Sequence, residues 1–184
     1  MDLAYCKDRL SAAGVSFEPG LKPEELERIE REYNFQFPPD LREFLSYALP
    51  VSKGWPDWRR ESRSKILERL DWPLEGICFD IEHNSFWLTS WGLKPENFRD
   101  ACAIARATLD TAPRLIPVCG HRFLPSRPCE AGNPVFSVYQ TDIIYYGRDL
   151  FDYLCHEFSY YFERAGYVID GNVRHIDFWS DLVE

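Results

Sequence analysis

The chain has 184 residues, 45% of them hydrophobic and 16% aromatic, with a formal net charge of −9. A chain this long buries about 70% of the surface its unfolded form exposes, and its richness in Phe, Tyr and Trp is far from a disordered composition. Thirty acids against twenty-one cations, with no basic stripe along the chain, argue against a binder of nucleic-acid phosphates.

Leu3 to Ala13 predicts a short helix, ended by Gly14 at the position that favours left-handed backbone. Ser16 to Leu21 reads as a loop. Pro23-Glu24-Glu25 opens a second helix, with proline in the first turn and acids at the positive end of the dipole. Leu26, Ile29 and Tyr33 follow at helical spacing. Pro39-Asp40 starts a third, with Leu41, Phe44, Leu45 and Ala48 as its apolar stripe. Val51 to Arg60 is a loop carrying Trp55-Pro56-Asp57-Trp58. Glu61 to Leu70 predicts a helix, Asp71 to Pro73 a turn, Gly76 to Ile81 a strand and Phe86 to Leu88 an extended piece. Pro95-Glu96 opens the next helix, which buries Phe98, Ala101, Cys102, Ala105 and Leu109 and ends at Pro113.

Arg114 to Cys119, Val135 to Gln140 and Ile143 to Tyr146 are rich in β-branched and aromatic residues and predict strands, the last two joined by a tight turn at Gln140-Thr141-Asp142. A helix over Asp149 to Glu163 follows, with Asp149 or Gly147 near its cap and Leu150, Leu154, Phe158 and Phe162 on one face. The tail carries a turn at Asp170-Gly171-Asn172 and an apolar cluster of Ile176, Phe178, Trp179 and Leu182. Helices, then consecutive strands, then a helix make an α+β pattern with a mostly antiparallel sheet, in one domain over 1–184.

The N-terminus has no basic segment followed by an apolar run, and no run approaches the ~20 residues of a membrane span. The six cysteines form no C-x-x-C pair. Reduced thiols in a cytoplasmic protein are expected, with a Cys119–Cys129 bridge as the minority reading.

Cys119 and His121, two apart, invite a nucleophile-and-base reading, but no third group is placed to orient them. Asp80, Glu82 and His83 could make a carboxylate pair for acid–base work or part of a metal site. The four histidines are scattered singly, so neither metal, cofactor nor catalytic residue is expected. Arg122 reads as the anchor of its loop through an acid such as Glu82 or Asp142. Trp87 and Trp91 read as core. Trp55 and Trp58, in a proline-containing loop beside Arg59 and Arg60, read as surface aromatics of the kind that anchor interfaces. Phosphate-loop, dinucleotide, nucleophile-elbow and zincin motifs do not occur.

Two blocks resemble a known family. Leu21 to Tyr47, LKPEELERIEREYNFQFPPDLREFLSY, has an acidic helix start, an F-x-F-P-P-D turn and a short helix with an F-L pair. Leu115 to Phe158 carries L-I-P-V, H-R-x-x-P, N-P-V-F-S-V-Y and D-I-I-Y-Y-G before a D-L-x-D-Y-L-x-x-E-F helix. These resemble the opening, core sheet and closing helix of the SUKH superfamily (the Smi-Knr type of domain), and Trp72 to Trp91 looks like its bacterial branch. In those terms residues 21–163 are the core, 1–20 an N-terminal helical extension and 164–184 a tail. The resemblance implies a bent antiparallel sheet with flanking helices, and a non-catalytic module that binds protein. Bacterial members look like immunity proteins that neutralise toxins, nucleases among them. A basic toxin domain is therefore the expected partner, met by an acidic, aromatic surface. Its expected residues are Trp55, Trp58, Glu82, His121, Arg122, Asp142, Asp149, Asp152 and Glu157, with Asp177, Asp181 and Glu184 of the tail. The alternatives are an interaction module without a toxin, and a ligand-binding protein or enzyme using Glu82, His83, His121 and Arg122.

Overall fold

In a computed structural model, residues 1–163, 169 and 172–183 are described. Six helices and two antiparallel sheets, of two and four strands, make an α+β fold among these residues.

The N-terminal third follows its local signals. Asp2 caps α1 (Leu3–Ala12) by accepting from the Tyr5 amide at 3.0 Å. Helix α2 spans Pro23–Tyr33, and its Glu25 accepts from the Lys22 amide at 2.9 Å. Helix α3 spans Pro39–Tyr47 and buries Leu41, Phe44 and Leu45. The loop expected over Ser16 to Leu21 contains β1 (Phe17–Pro19), which pairs with β2 (Ala48–Pro50). Residues 1–20 are thereby part of the packed body, and Cys6 and Leu10 are fully buried.

The main departure from expectation is α4, a single helix over Arg63–His83. The turn expected at Asp71 to Pro73 and the strand expected at Gly76 to Ile81 are both helical, with Pro73 inside. An interior proline removes one backbone bond and costs about 3 kcal/mol. Burial at Ile66, Leu70, Leu74, Ile77 and Ile81, a 4-4-3-4 spacing, outweighs it. The segment from Gly76 to Ile81 alternates only when read in isolation. After a 3-10 turn at Thr89–Trp91, α5 runs over Phe98–Thr111, capped by Asn97 and burying Ala101 and Ala105.

Strands β3 (Leu115–Cys119), β4 (Arg122–Pro125), β5 (Val135–Tyr139) and β6 (Asp142–Gly147) form an antiparallel meander in that order. Strand β4 lies in what the sequence suggested was a loop, because Pro125 and Pro128 hid its four residues. Gln140 and Thr141 form the two-residue connection between Tyr139 and Asp142, with Gln140 at φ 58°. Helix α6 is shorter than expected, Leu150–Glu157, with Asp149 as its cap. The expected turn at Asp170-Gly171 lies outside the described residues.

The two faces of the larger sheet carry two cores. Ile116, Val118, Leu124 and Val135 pack with the N-terminal helices, Trp55, Trp58 and α6. Leu115, Phe123, Phe136, Val138 and Ile143 pack on α4, α5 and the tail residues Ile176 and Trp179. The indole of Trp179 donates to the Pro113 carbonyl at 2.6 Å. No helix among the described residues is long and apolar enough to cross a membrane.

Candidate functional site

The turn between β3 and β4 places His121 and Arg122 on the open end of the sheet. The Gly120 amide donates to the Gly54 carbonyl at 2.9 Å, tying that turn to the tryptophan loop. Arg122 opens β4 opposite Ser137, and its Nη1 donates to Ser137 Oγ at 2.9 Å. The guanidinium lies 3.6 Å above the Tyr146 ring. Its Nε stands 3.3 Å from Glu157 Oε2, but out of line for a hydrogen bond. His156 stacks on the other partner of this contact, Tyr146, at 4.2 Å.

Arg122 is thus a loop anchor, as expected, but its acid is Glu157 on α6 rather than Glu82 or Asp142. The reason is the sheet: Arg122, Ser137 and Tyr146 share the face on which the end of α6 lies.

Cys119 and His121 do not form a nucleophile pair. Cys119 Sγ lies 3.1 Å from the point where a Cβ on Gly54 would stand, whereas the His121 ring packs against Tyr139 at 6.4 Å. Burial pushes the Cys119 thiol up to about 11. Burial, helped by the neighbouring Arg122 charge, lowers the His121 pKa. A protonated thiol beside a neutral imidazole is not a thiolate–imidazolium pair. Tyr153 faces the same thiol, and burial raises its pKa well above the phenol range. Cys119 and Cys129 are free thiols.

Asp80 and Glu82 do not share a face, because α4 turns them apart. Asp80 is buried and accepts from the amide and hydroxyl of Thr141 at the β5–β6 turn. Glu82 is exposed and lies 3.4 Å from His83 Nε2. Among the described residues, no three His, Cys, Asp or Glu side chains converge as a metal-binding group.

Trp55 and Trp58 are corrected from surface to core: they are 4% and 5% exposed. Trp58 makes edge contacts with Tyr33, Phe35 and Phe37, and Trp55 stacks on Phe158 at 6.4 Å. The loop's aromatics fill the gap between the N-terminal helices and the sheet, which burial rewards more than solvent exposure does. Asp152 is likewise corrected. It is buried, accepting from the Arg148 amide at 2.9 Å with the Arg148 guanidinium at 3.3 Å. Asp149 is held as the α6 cap, accepting from the Asp152 amide at 2.8 Å. Asp142, Asp177 and Asp181 are exposed. Glu184 lies outside the described residues.

Large exposed apolar side chains lie elsewhere, among them Tyr47, Phe98, Phe151 and Tyr160. Trp72 and Phe79 on α4 are 43% and 45% exposed, and Tyr139 and Ile144 on the β5–β6 hairpin are 57% and 40% exposed. Trp72 Nε1 donates to the Val138 carbonyl at 3.1 Å, and Gly76 lets the helix approach Gln140, so α4 crosses the hairpin's tip. On α4, Trp72, Glu75, Phe79 and Glu82 recur at helical spacing and are all exposed, an alternation of aromatic and acid along one stripe. Tyr139 faces Asp142 across the hairpin. The strand reading of Gly76 to Ile81 hid this stripe, which a helical period over 72–82 displays.

A second feature had no signal in the sequence. A cleft of about 830 Å³ opens between α2, α4, α5 and the ends of β3 and β4, with Arg106, Arg114 and Arg127 in its lining. Its residues come from distant segments brought together only by folding.

A scan against protein-family models, a search of curated proteins and a search of solved structures each gave no match to this chain.

Proposed function

We propose that this chain is a stoichiometric protein-binding module of the SUKH type, and that it acts as an immunity protein by occluding a basic toxin domain. The observation that supports the docking step is the stripe on α4. Trp72 and Phe79 offer rigid apolar area, and Glu75 and Glu82 set negative charge between and beside them. Aromatic anchors surrounded by charge are the usual makeup of an interface centre and its rim. The net charge of −9 speeds the approach of a basic partner. On this reading the surface takes the place of the phosphates a nuclease would bind.

The test is co-expression with the toxin domain encoded beside this chain, scored by growth and by co-purification. Growth rescue with a one-to-one complex is expected. The double variant Phe79→Ala with Glu82→Lys should weaken that complex at least about tenfold while leaving the far-ultraviolet circular dichroism unchanged. Rescue without a complex refutes occlusion, and a complex indifferent to the double variant refutes this face. Absence of both rescue and complex refutes the toxin as partner.

A further inference from the structure

The cleft of about 830 Å³ has the size of a small-molecule site, and the arginines that line it are unusually placed for this protein. In a chain with thirty acids against twenty-one cations, an arginine readily finds a carboxylate. Among the described residues every arginine but four stands within 4.0 Å of one. The four are Arg99, Arg106, Arg114 and Arg127, and the last three line this cleft.

Two of these guanidinium groups are held in place by neutral acceptors. Arg114 Nη1 donates to the carbonyl of Tyr33, the last residue of α2, at 2.8 Å. Arg127 Nη2 donates to the carbonyl of Thr111, the last residue of α5, at 2.6 Å. Helix C-terminal carbonyls favour a nearby cation but leave its full charge and most of its five donors uncommitted. The Ser126 amide donates to the Arg114 carbonyl at 2.8 Å, so the backbone of 127 lies next to that of 114, and both side chains line the cleft. Arg106 reaches the cleft from α5 without any such anchor among the described residues. A purely structural role in capping helix ends accounts for Arg114 and Arg127 but not for Arg106.

The acids of the cleft offset part of this charge: the lining holds four arginines and four carboxylates, and Arg42 outside the lining takes up Glu30. Glu30 is committed to Arg42 at 2.7 Å and to the Phe37 amide, and Glu27 pairs with Arg31 at 3.7 Å. Asp71 and Asp110 remain, as acceptors for hydroxyl groups. Leu74 and Leu109 provide apolar wall.

We infer that this cleft binds a small phosphate ester with a hydroxyl-bearing body, its phosphate held by Arg106, Arg114 and Arg127 and its hydroxyls by Asp71 and Asp110. A phosphate monoester carries nearly two negative charges at neutral pH and three acceptor oxygens, which arginine forks match in shape as well as charge. This site stands independently of the docking face on α4.

The test follows arginine Nε–H resonances in isotope-labelled full chain at low salt during titration with pyrophosphate, ribose 5-phosphate and ribose. Saturable shifts of the three arginines, assigned by single Arg→Lys variants, are expected with both phosphates, tighter for ribose 5-phosphate, and none with ribose. The double variant Arg106→Gln with Arg127→Gln should weaken binding at least about tenfold with the melting temperature retained. No saturable shift at about 10 mM, ten times a ~1 mM constant, overturns the site. So do shifts spread over all exposed cations or unchanged in the double variant. Equal affinity for pyrophosphate and ribose 5-phosphate overturns the role of Asp71 and Asp110.

Discussion

Asp80 is 3% exposed and remains a carboxylate. Burial alone raises its pKa, but hydrogen bonds from the Thr141 hydroxyl and amide and from Asn84 hold it below the usual carboxylate value. A depressed folded-state pKa contributes stability that is present above the unfolded value, near 4, and lost as pH falls through the folded one. Asp80→Ala is therefore expected to cost about 1.5–3 kcal/mol at pH 7. Comparing urea midpoints at pH 7 and near pH 3 checks the sign: the gap between wild type and variant should shrink in acid. A second ion site works on the same principle. Arg59 donates to both oxygens of Glu25, at 2.7 and 3.0 Å, and to the carbonyls of Pro19 and Gly20 at 3.1 Å. Those bonds hold the Glu25 carboxyl down at about 2. Arg59→Met should cost about 1.5–3 kcal/mol, read as a lower denaturation midpoint with an unchanged slope. Neither residue was legible as a structural anchor in the sequence, because each finds its partners tens of positions away.

At the scale of the element, α4 is where local signals mislead. Asp71-Trp72-Pro73 has turn chemistry and Gly76 to Ile81 has strand-like content, yet the sheet's apolar face imposes one continuous helix. Gly76 discriminates between the two readings. Alanine is the better helix former by about 1 kcal/mol, so a solvent-facing Gly76→Ala would stabilise. Here the added Cβ would stand 2.7 Å from Gln140 Cα, a backbone atom that cannot step aside. Gly76→Ala is expected to destabilise by about 1–3 kcal/mol, measured by thermal or urea unfolding. Gain of stability would place the hairpin tip elsewhere. The helices α1, α2 and α3, by contrast, were readable nearly to the residue, because capping groups and prolines sit at their ends. The tryptophans of the following loop were readable as aromatic but not as buried, since burial depends on α2 and the sheet closing over them.

The whole molecule consists of two cores on opposite faces of one sheet, and the C-terminal residues complete the second. Ile176 and Trp179 are buried against α5 and the sheet. Trp179→Ala should cost about 3–5 kcal/mol, as large a loss as any in the central helices, detectable as a fall in melting temperature and in near-ultraviolet circular dichroism. The net charge acts at this scale as well. Reversing Glu75, Glu82 and Asp142 together to lysine should slow association with a basic partner and flatten its dependence on salt, because steering is a long-range effect screened over about 10 Å at 0.1 M salt. Stopped-flow association at two ionic strengths checks this. An unchanged rate and salt slope would remove the electrostatic part of the proposed docking.

By itself the sequence determined the α+β class, three of the four C-terminal strands with the tight turn joining the last two, the N-terminal helices and an acidic, aromatic character. These follow from short-range chemistry: caps, turn residues, apolar period and composition. Only the tertiary structure decided that α4 is one helix, that Trp55 and Trp58 are core, that Arg122 is anchored by Glu157, and that Arg106, Arg114 and Arg127 line one cleft. Each depends on which distant segment lies opposite, and partners separated by tens of residues leave no periodic trace in the chain.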